Sequence, residues 1–247
     1  MPDVMSGGRI VIPKIPELTK QEIRDEIERR RHNRISLIFP EKGPYRRELY
    51  ARHMEFFRNG TEFRERLFRA ANRAGKTEAG AYECTLHLTG NYPDWWVGKR
   101  FNHPVNILAA GETGKLVRDS IQEKMVGSPG QLGTGLIPLE LIIGRPRPRA
   151  GISDAVDTVS IKHKYGISTL QFQSYDQGRE AFQATARDVI WLDEEPPLEV
   201  YSEALTRTMT TKGIVMTTFT PLKGMSGTVM FLQKKAEDEK IAITTAT

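Results

Sequence analysis

One cysteine in 247 residues, Cys84, has no intramolecular disulfide partner, so nothing in cysteine usage points to secretion. No apolar run approaches the roughly 18–20 residues of a membrane span. The N-terminal MPDVMSGGRI has no signal-peptide core. Five histidines (His32, His53, His87, His103, His163) show no metal-ligand spacing, and with a single cysteine nothing points to a structural zinc site. Charge of one sign is also scarce: 36 Lys+Arg stand against 31 Asp+Glu, a formal net of +5, too little alone to demand a nucleic-acid partner. A soluble intracellular protein is the expectation. Hydrophobic residues at 38%, with 10 Phe, 7 Tyr and 3 Trp, suffice for a real core. The length corresponds to one large domain or two small ones, at roughly 100–200 residues each.

The charge is unevenly placed. Between Tyr45 and Lys76, eight Arg and one Lys face four Glu, which equals the whole excess of the chain. Two readings stand: a solvated helix face, or a surface turned toward phosphates. Residues 1–19, punctuated by Pro2, Gly7, Gly8, Pro13 and Pro16, read as an extended lead-in. Thr19 and Glu22 form a capping-box pattern for an arginine-studded helix over 20–37.

From residue 64 short apolar strands alternate with amphipathic helices. Strands are expected at 66–71, 105–110, 188–193, 213–218 and from 241. Helices are expected at 76–89, 113–126, 198–209 and 227–239. Period-2 stretches at 158–162 and 168–172 flank a Lys164–Gly166 turn and predict a hairpin. The Gly- and Pro-rich stretch 127–151 predicts a long loop or lid. Such alternation implies an α/β fold with a mostly parallel sheet covered on both faces. The expected division is a helical lead-in over 1–60 and a globular domain over 61–247.

The chemistry gathers in two places. Ala70-Ala-Asn-Arg-Ala-Gly-Lys-Thr77 joins a strand to a helix, the context a phosphate-binding loop needs. Consecutive backbone N–H groups and the helix N-terminus converge there on phosphate. Lys76 would reach the β/γ-phosphates, the Thr77 hydroxyl would help hold Mg2+, and Gly75 would allow close backbone approach. Ala70 stands where the usual motif has its first glycine. Downstream, Val189-Ile-Trp-Leu-Asp-Glu194 is an apolar strand ending in two carboxylates. Asp193 would hold Mg2+, and Glu194 would polarise the water that attacks the γ-phosphate. Hydroxyls in Val215-Met-Thr-Thr-Phe-Thr-Pro221 either sense that phosphate or are strand-favouring threonines. Candidate nucleotide contacts are Ala71, Asn72, Arg73, Ala74, Gly75, Lys76, Thr77, Glu78 and Thr218. Trp95 and Trp96 read as core packing at a helix end, the alternative being a stack on a base or an anchor for a partner, and Cys84 reads as a small buried hydrophobe.

Five segments resemble the large terminase subunits of tailed bacteriophages: Leu67–Thr77 (LFRAANRAGKT), Leu88–Trp96 (LTGNYPDWW), Ser174–Glu180 (SYDQGRE), Trp191–Pro197 (WLDEEPP) and Thr218–Met225 (TFTPLKGM). The resemblance implies a RecA-like (ASCE) P-loop ATPase that moves double-stranded DNA into a procapsid through a portal. It further implies ATP and Mg2+ as cofactors and a small terminase subunit as partner. A homo-oligomeric ring and residence in the host cytoplasm follow from the same likeness. By it, Lys76 and Thr77 belong to Walker A, Asp193 and Glu194 to Walker B, and Thr218–Pro221 to a coupling motif. Arg73 would be the loop arginine. An adenine-contacting segment would fall within Tyr50–Phe57. Arg179 is the first choice for an arginine reaching a neighbouring subunit's site, with Arg187 and Arg145–Arg149 as alternatives. The family's C-terminal nuclease domain has no room after the last expected strand, so nuclease activity is expected to be absent. The alternatives are another RecA-like nucleic-acid ATPase such as a helicase, and a non-catalytic nucleotide-binding module.

Overall fold

The computed structural model describes residues 19–183, 185–222 and 224–246; the lead-in before Thr19 lies outside the described residues. Thr19 caps α1 (Lys20–His32) as its sequence predicts. Its hydroxyl accepts from the Glu22 N–H at 3.2 Å while the Glu22 carboxylate accepts from the Thr19 N–H at 2.7 Å. The helix stops five residues earlier than expected, at Asn33, and a 3-10 turn (Arg34–Leu37) follows. Next come α2 (Ala51–Asn59), β1 (Glu65–Ala70), α3 (Lys76–Thr89) and β2 (Asn106–Gly111). The helix expected over 113–126 is interrupted: α4 (Gly114–Leu116) passes through a π-helical turn (Val117–Gln122) into α5 (Glu123–Val126). β3 (Ile142–Pro148), β4 (Val156–His163) and β5 (Gly166–Ser174) form a meander, then β6 (Val189–Asp193), α6 (Leu198–Arg207), β7 (Ile214–Phe219), α7 (Gly227–Glu237) and β8 (Ala242–Ala246) complete the described chain.

The eight strands make one sheet in the order β3-β4-β5-β2-β6-β7-β1-β8. From β5 to β8 every pairing is parallel; β3 and β4 add antiparallel at one edge. β3 corrects the expectation of a loop over 127–151. A strand carrying Pro146 and Pro148 reads as a breaker, yet at a sheet edge the missing N–H groups cost no ladder bond, and the register slips around Arg147.

α3 is buried from Ala79 through Thr89 and lies against one face of the sheet. Alternation along β6 divides the core. Val189 and Trp191 pack on the α3 side with Phe56, Phe57 and Phe68, whereas Ile190 and Leu192 pack on the other side with Tyr201, Val229 and Leu232. Because Phe56 and Phe57 of α2 share that first cluster, the division expected near residue 60 runs through a packed core. Trp96 is buried there, donating its indole N–H to Lys99 O at 2.9 Å.

The charges inside this core are paired. Arg66 of β1 and Glu83 of α3 are fully buried and joined at 2.6 Å, with His87 and then Tyr92 continuing the chain of bonds. Arg66 also donates to Phe56 O at 2.7 Å. This network ties together the strand and helix on either side of residues 71–75.

Candidate nucleotide site

β1, β6 and β7 lie side by side and parallel, so their C-terminal ends open on one edge of the sheet, where ligands of open α/β sheets bind. From β1 the chain turns through Ala71–Gly75 into α3. Arg73 (φ 65°) and Gly75 (φ 77°) take left-handed backbone, whereas Ala70 does not. The position held by alanine in place of glycine is therefore one that any residue can adopt. A Cβ at Gly75 would stand 3.0 Å from the His53 ring.

The Lys76 amine folds back on this loop. It donates to Ala70 O at 3.0 Å, Ala71 O at 2.8 Å and Thr220 Oγ1 at 2.7 Å, which uses its three protons. Burial lowers its pKa, opposed by the charges of Glu194 and Asp193. Thr220 also lies 2.8 Å from Ala70 O and 3.0 Å from Asn72 Oδ1. Opposite, the Thr77 hydroxyl reaches Asp193 at 3.1 Å, and the Thr218 hydroxyl donates to Asp193 Oδ1 at 2.6 Å. Burial pushes the Asp193 carboxyl up to about 7, against the pull of the Thr218 and Thr77 hydroxyls. Glu194 is raised too, first by burial. Its backbone takes φ 64°, and its N–H donates to Thr218 O at 2.9 Å. The Tyr175 hydroxyl holds this turn from behind, donating to Asp193 O at 2.9 Å.

A cleft of about 540 Å³ adjoins the loop, lined by Phe39, Tyr45, Tyr50, His53 and Arg73–Gly75. A larger cavity of about 850 Å³ lies at the far end of α3, around Gly90, Tyr92 and Trp95. It shares no lining residue with the loop.

The chain matches known proteins in sequence and in fold. The N-terminal family of terminase large subunits of the T4-like virus type matches residues 67–245. The chain belongs to the phage terminase large-subunit family. The terminase large subunit of Salmonella phage P22 is 36% identical over 214 residues, covering 78% of this chain and 43% of that protein. This terminase chain therefore spans less than half the length of that relative. In fold it resembles the large terminase of a thermophilic bacteriophage in complex with ADP, with a TM-score of 0.55, 13% identity, and coverage of 80% and 44%. The same thermophilic-phage protein in complex with ATP-gamma-S gives 0.55 and 13%, covering 80% and 43%. The HK97 bacteriophage large terminase gives 0.54 and 12%, covering 83% and 39%.

Of the residues expected at the terminase nucleotide site, Lys76, Thr77, Asp193 and Glu194 come together. Ala71, Asn72 and Arg73 are exposed on the loop, and Ala74 is half-buried beside His53. Glu78 accepts an ion pair from Lys124 at 2.9 Å. Thr218 is fully buried behind Asp193. Within Tyr50–Phe57, only Tyr50 and His53 face the cleft, while Phe56 and Phe57 are core. Among the expected inter-subunit arginines, Arg179 is half-exposed and paired with Glu203 at 2.8 Å. Arg187 is the one the structure removes: it is buried, with its guanidinium on Asn106 and Gln171. Arg147 pairs with Asp157, Arg149 with Ser174 and Gln177, and Arg145 is exposed on the edge strand. His53, Tyr175 and Thr220 fall inside segments that the resemblance marks, but nothing in the sequence singles them out individually, because tertiary contacts bring them to the site.

Proposed function

We propose that this chain is the ATPase portion of a viral DNA-packaging motor, hydrolysing ATP to drive double-stranded DNA through a portal into a procapsid. The observation that carries the reading is the convergence of Lys76, Thr77, Asp193 and Glu194 at one sheet edge. Family membership supports it, as do the ADP and ATP-gamma-S complexes of the thermophilic-phage protein.

On ATP binding, the N–H groups of Ala71–Gly75 and the N-terminus of α3 receive the β-phosphate. Lys76 exchanges its bonds to Ala70, Ala71 and Thr220 for phosphate oxygens. Glu194 takes a proton from the water that attacks the γ-phosphorus; the bond to the ADP oxygen breaks, releasing ADP and inorganic phosphate. The buried Asp193 carboxylate, with hydroxyls as its hydrogen-bond partners and its pKa at about 7, suits a divalent cation that would keep it ionised. One carboxylate and one hydroxyl, completed by phosphates and water, fit Mg2+. Held by Asp193 and Thr77, the cation would supply charge neutralisation at the phosphates. Tyr50, Tyr45 and His53 give the adjoining cleft an aromatic wall for adenine.

Grip on DNA should act through phosphates, because a packaging motor accepts any sequence. A neighbouring copy, a small terminase subunit and the host cytoplasm complete the proposal. The test is ATP turnover by the purified chain with and without double-stranded DNA and portal-bearing procapsids. Stimulation by procapsids is expected. Strand displacement without it would point to a helicase, and nucleotide binding without turnover under all conditions to a passive module.

A further inference from the structure

The hydrolysis proposed above uses Asp193 and leaves its surroundings unassigned. Asp193, Thr218 and Trp191 form a closed arrangement behind the phosphate loop. Trp191 and Thr218 are fully buried. The Trp191 indole Nε1–H donates to Thr218 Oγ1 at 2.8 Å, and Thr218 Oγ1 lies 2.6 Å from Asp193 Oδ1. Strand register sets this up: Asp193 pairs with Thr218 across β6 and β7, and Trp191, two residues earlier, points to the same face. α3 meets both side chains. Thr77 touches Asp193, and three residues on, Gly80 lies so close to the indole that a Cβ there would overlap the ring.

We propose that Trp191 is a positioning residue for hydrolysis, fixing the Thr218 hydroxyl so that its proton is held on Asp193 Oδ1. With Asp193 ionised, the chemistry permits one orientation. An indole N–H only donates, so the Thr218 oxygen accepts there; a threonine hydroxyl has one proton, and the carboxylate is its remaining acceptor. Oδ1 is thereby anchored, which fixes the carboxylate plane that the Thr77 hydroxyl meets through both oxygens, at 3.2 Å and 3.1 Å. Thr218 is consequently not free to swing toward a phosphate. That leaves Thr220, bonded to Lys76, as the hydroxyl of this segment that changes partner when nucleotide binds.

The inference rests on the ATPase reading, and the test separates the two. Trp191→Phe keeps an aromatic ring between sheet and helix while removing the donor. Thermal midpoints are measured for wild type, Trp191→Phe, Thr218→Val and the double variant, each with ADP alone and with ADP plus Mg2+. Mg2+ titrations of ATP turnover accompany them. Trp191→Phe should retain the upshift given by ADP alone and lose most of the extra upshift given by Mg2+. Its half-saturating Mg2+ should rise roughly 10-fold, in the range typical of lost outer-sphere support. Thr218→Val should do the same with Trp191 intact, which carries the test if Trp191→Phe folds poorly. The double variant should be no worse than Thr218→Val alone, since both act through one bond. An unchanged Mg2+ response in Trp191→Phe, or additive losses in the double variant, would overturn the role of Trp191 and leave the ATPase reading standing. A wild-type chain indifferent to ADP and MgADP would overturn both.

Discussion

The Thr77 hydroxyl and the Asp193 carboxylate, 116 residues apart in the chain, meet at 3.1 Å. Thr77 stands on the first turn of α3 and Asp193 at the last residue of β6, with β7 between β6 and the strand that feeds α3. A helix N-terminus that attracts phosphate and a buried carboxylate suited to a cation are thus held against each other. Neither group explains itself alone. The carboxylate is costly where it is, and a positive charge beside it would restore its ordinary acidity.

Glu194 sits beyond that contact, and among the described residues its side chain makes no hydrogen bond or ion pair that a substitution would strand. Glu194→Gln should therefore fold normally and bind ATP with near wild-type affinity. Turnover should fall by roughly 10²–10⁴-fold, the contribution of a positioned proton acceptor. Equilibrium binding of labelled ATP, measured beside phosphate release, checks this. A variant that still turns over ATP would move the proton acceptor elsewhere.

The loop lysine, the paired carboxylates and the β4–β5 hairpin are legible in the sequence because each is a local pattern: a strand–loop–helix junction, an apolar run with an acidic end, and strict alternation. β3 is not, since Gly144, Pro146 and Pro148 are loop-forming in isolation and become a strand only by pairing with β4. The π-helical turn leaves no mark in the periodicity. Arg187 and Arg179 look alike in sequence, yet one is buried among amides and the other half-exposed, a difference made by packing. His53 and Tyr175 likewise become site residues only when α2 and the end of β5 are laid beside the loop.

Gly80 gives a test of packing whose sign opposes intrinsic preference. In a helix, Gly→Ala ordinarily adds about 1 kcal/mol of stability. Here the new methyl would run into the ring of Trp191, a fully buried indole with no room to retreat. Overpacking of this kind costs about 1–3 kcal/mol. Urea unfolding should show Gly80→Ala less stable than wild type, and a stability gain would mean that α3 and Trp191 are not in contact.

The Arg66–Glu83 pair should matter more when broken than when replaced. Glu83→Ala leaves the Arg66 guanidinium buried, with Phe56 O as its remaining acceptor among the described residues. Stranding a buried charge costs about 3–5 kcal/mol, whereas exchanging both partners for apolar residues is often near neutral. Denaturant midpoints should therefore rank Glu83→Ala well below the Arg66→Met/Glu83→Leu double variant. The reverse order would show that the pair itself supplies the stability.

Acid should loosen the fold through His87. Burial pushes its pKa below the ordinary 6.5, opposed by the Glu83 carboxylate, while Arg66 and Lys99 add to the lowering. Tyr92 meets its Nδ1 at 2.9 Å, and the Trp96 and Phe101 rings stand edge-on to it. In the unfolded chain the imidazole protonates at about 6.5, before the folded one does. The unfolded state then holds more protons, and stability falls as pH drops below about 6.5 until the folded value is reached. His53 and His163, also lowered by burial, act in the same direction. Asp193 and Glu194, both raised, act oppositely over this range. The total curve therefore mixes signs, and the difference between wild type and His87→Gln isolates one group. His87→Gln should be less stable at about pH 7.5, with the gap to wild type narrowing as pH falls from about 6.5 to about 5. A gap constant across that range would place the His87 proton equilibrium at its unfolded value.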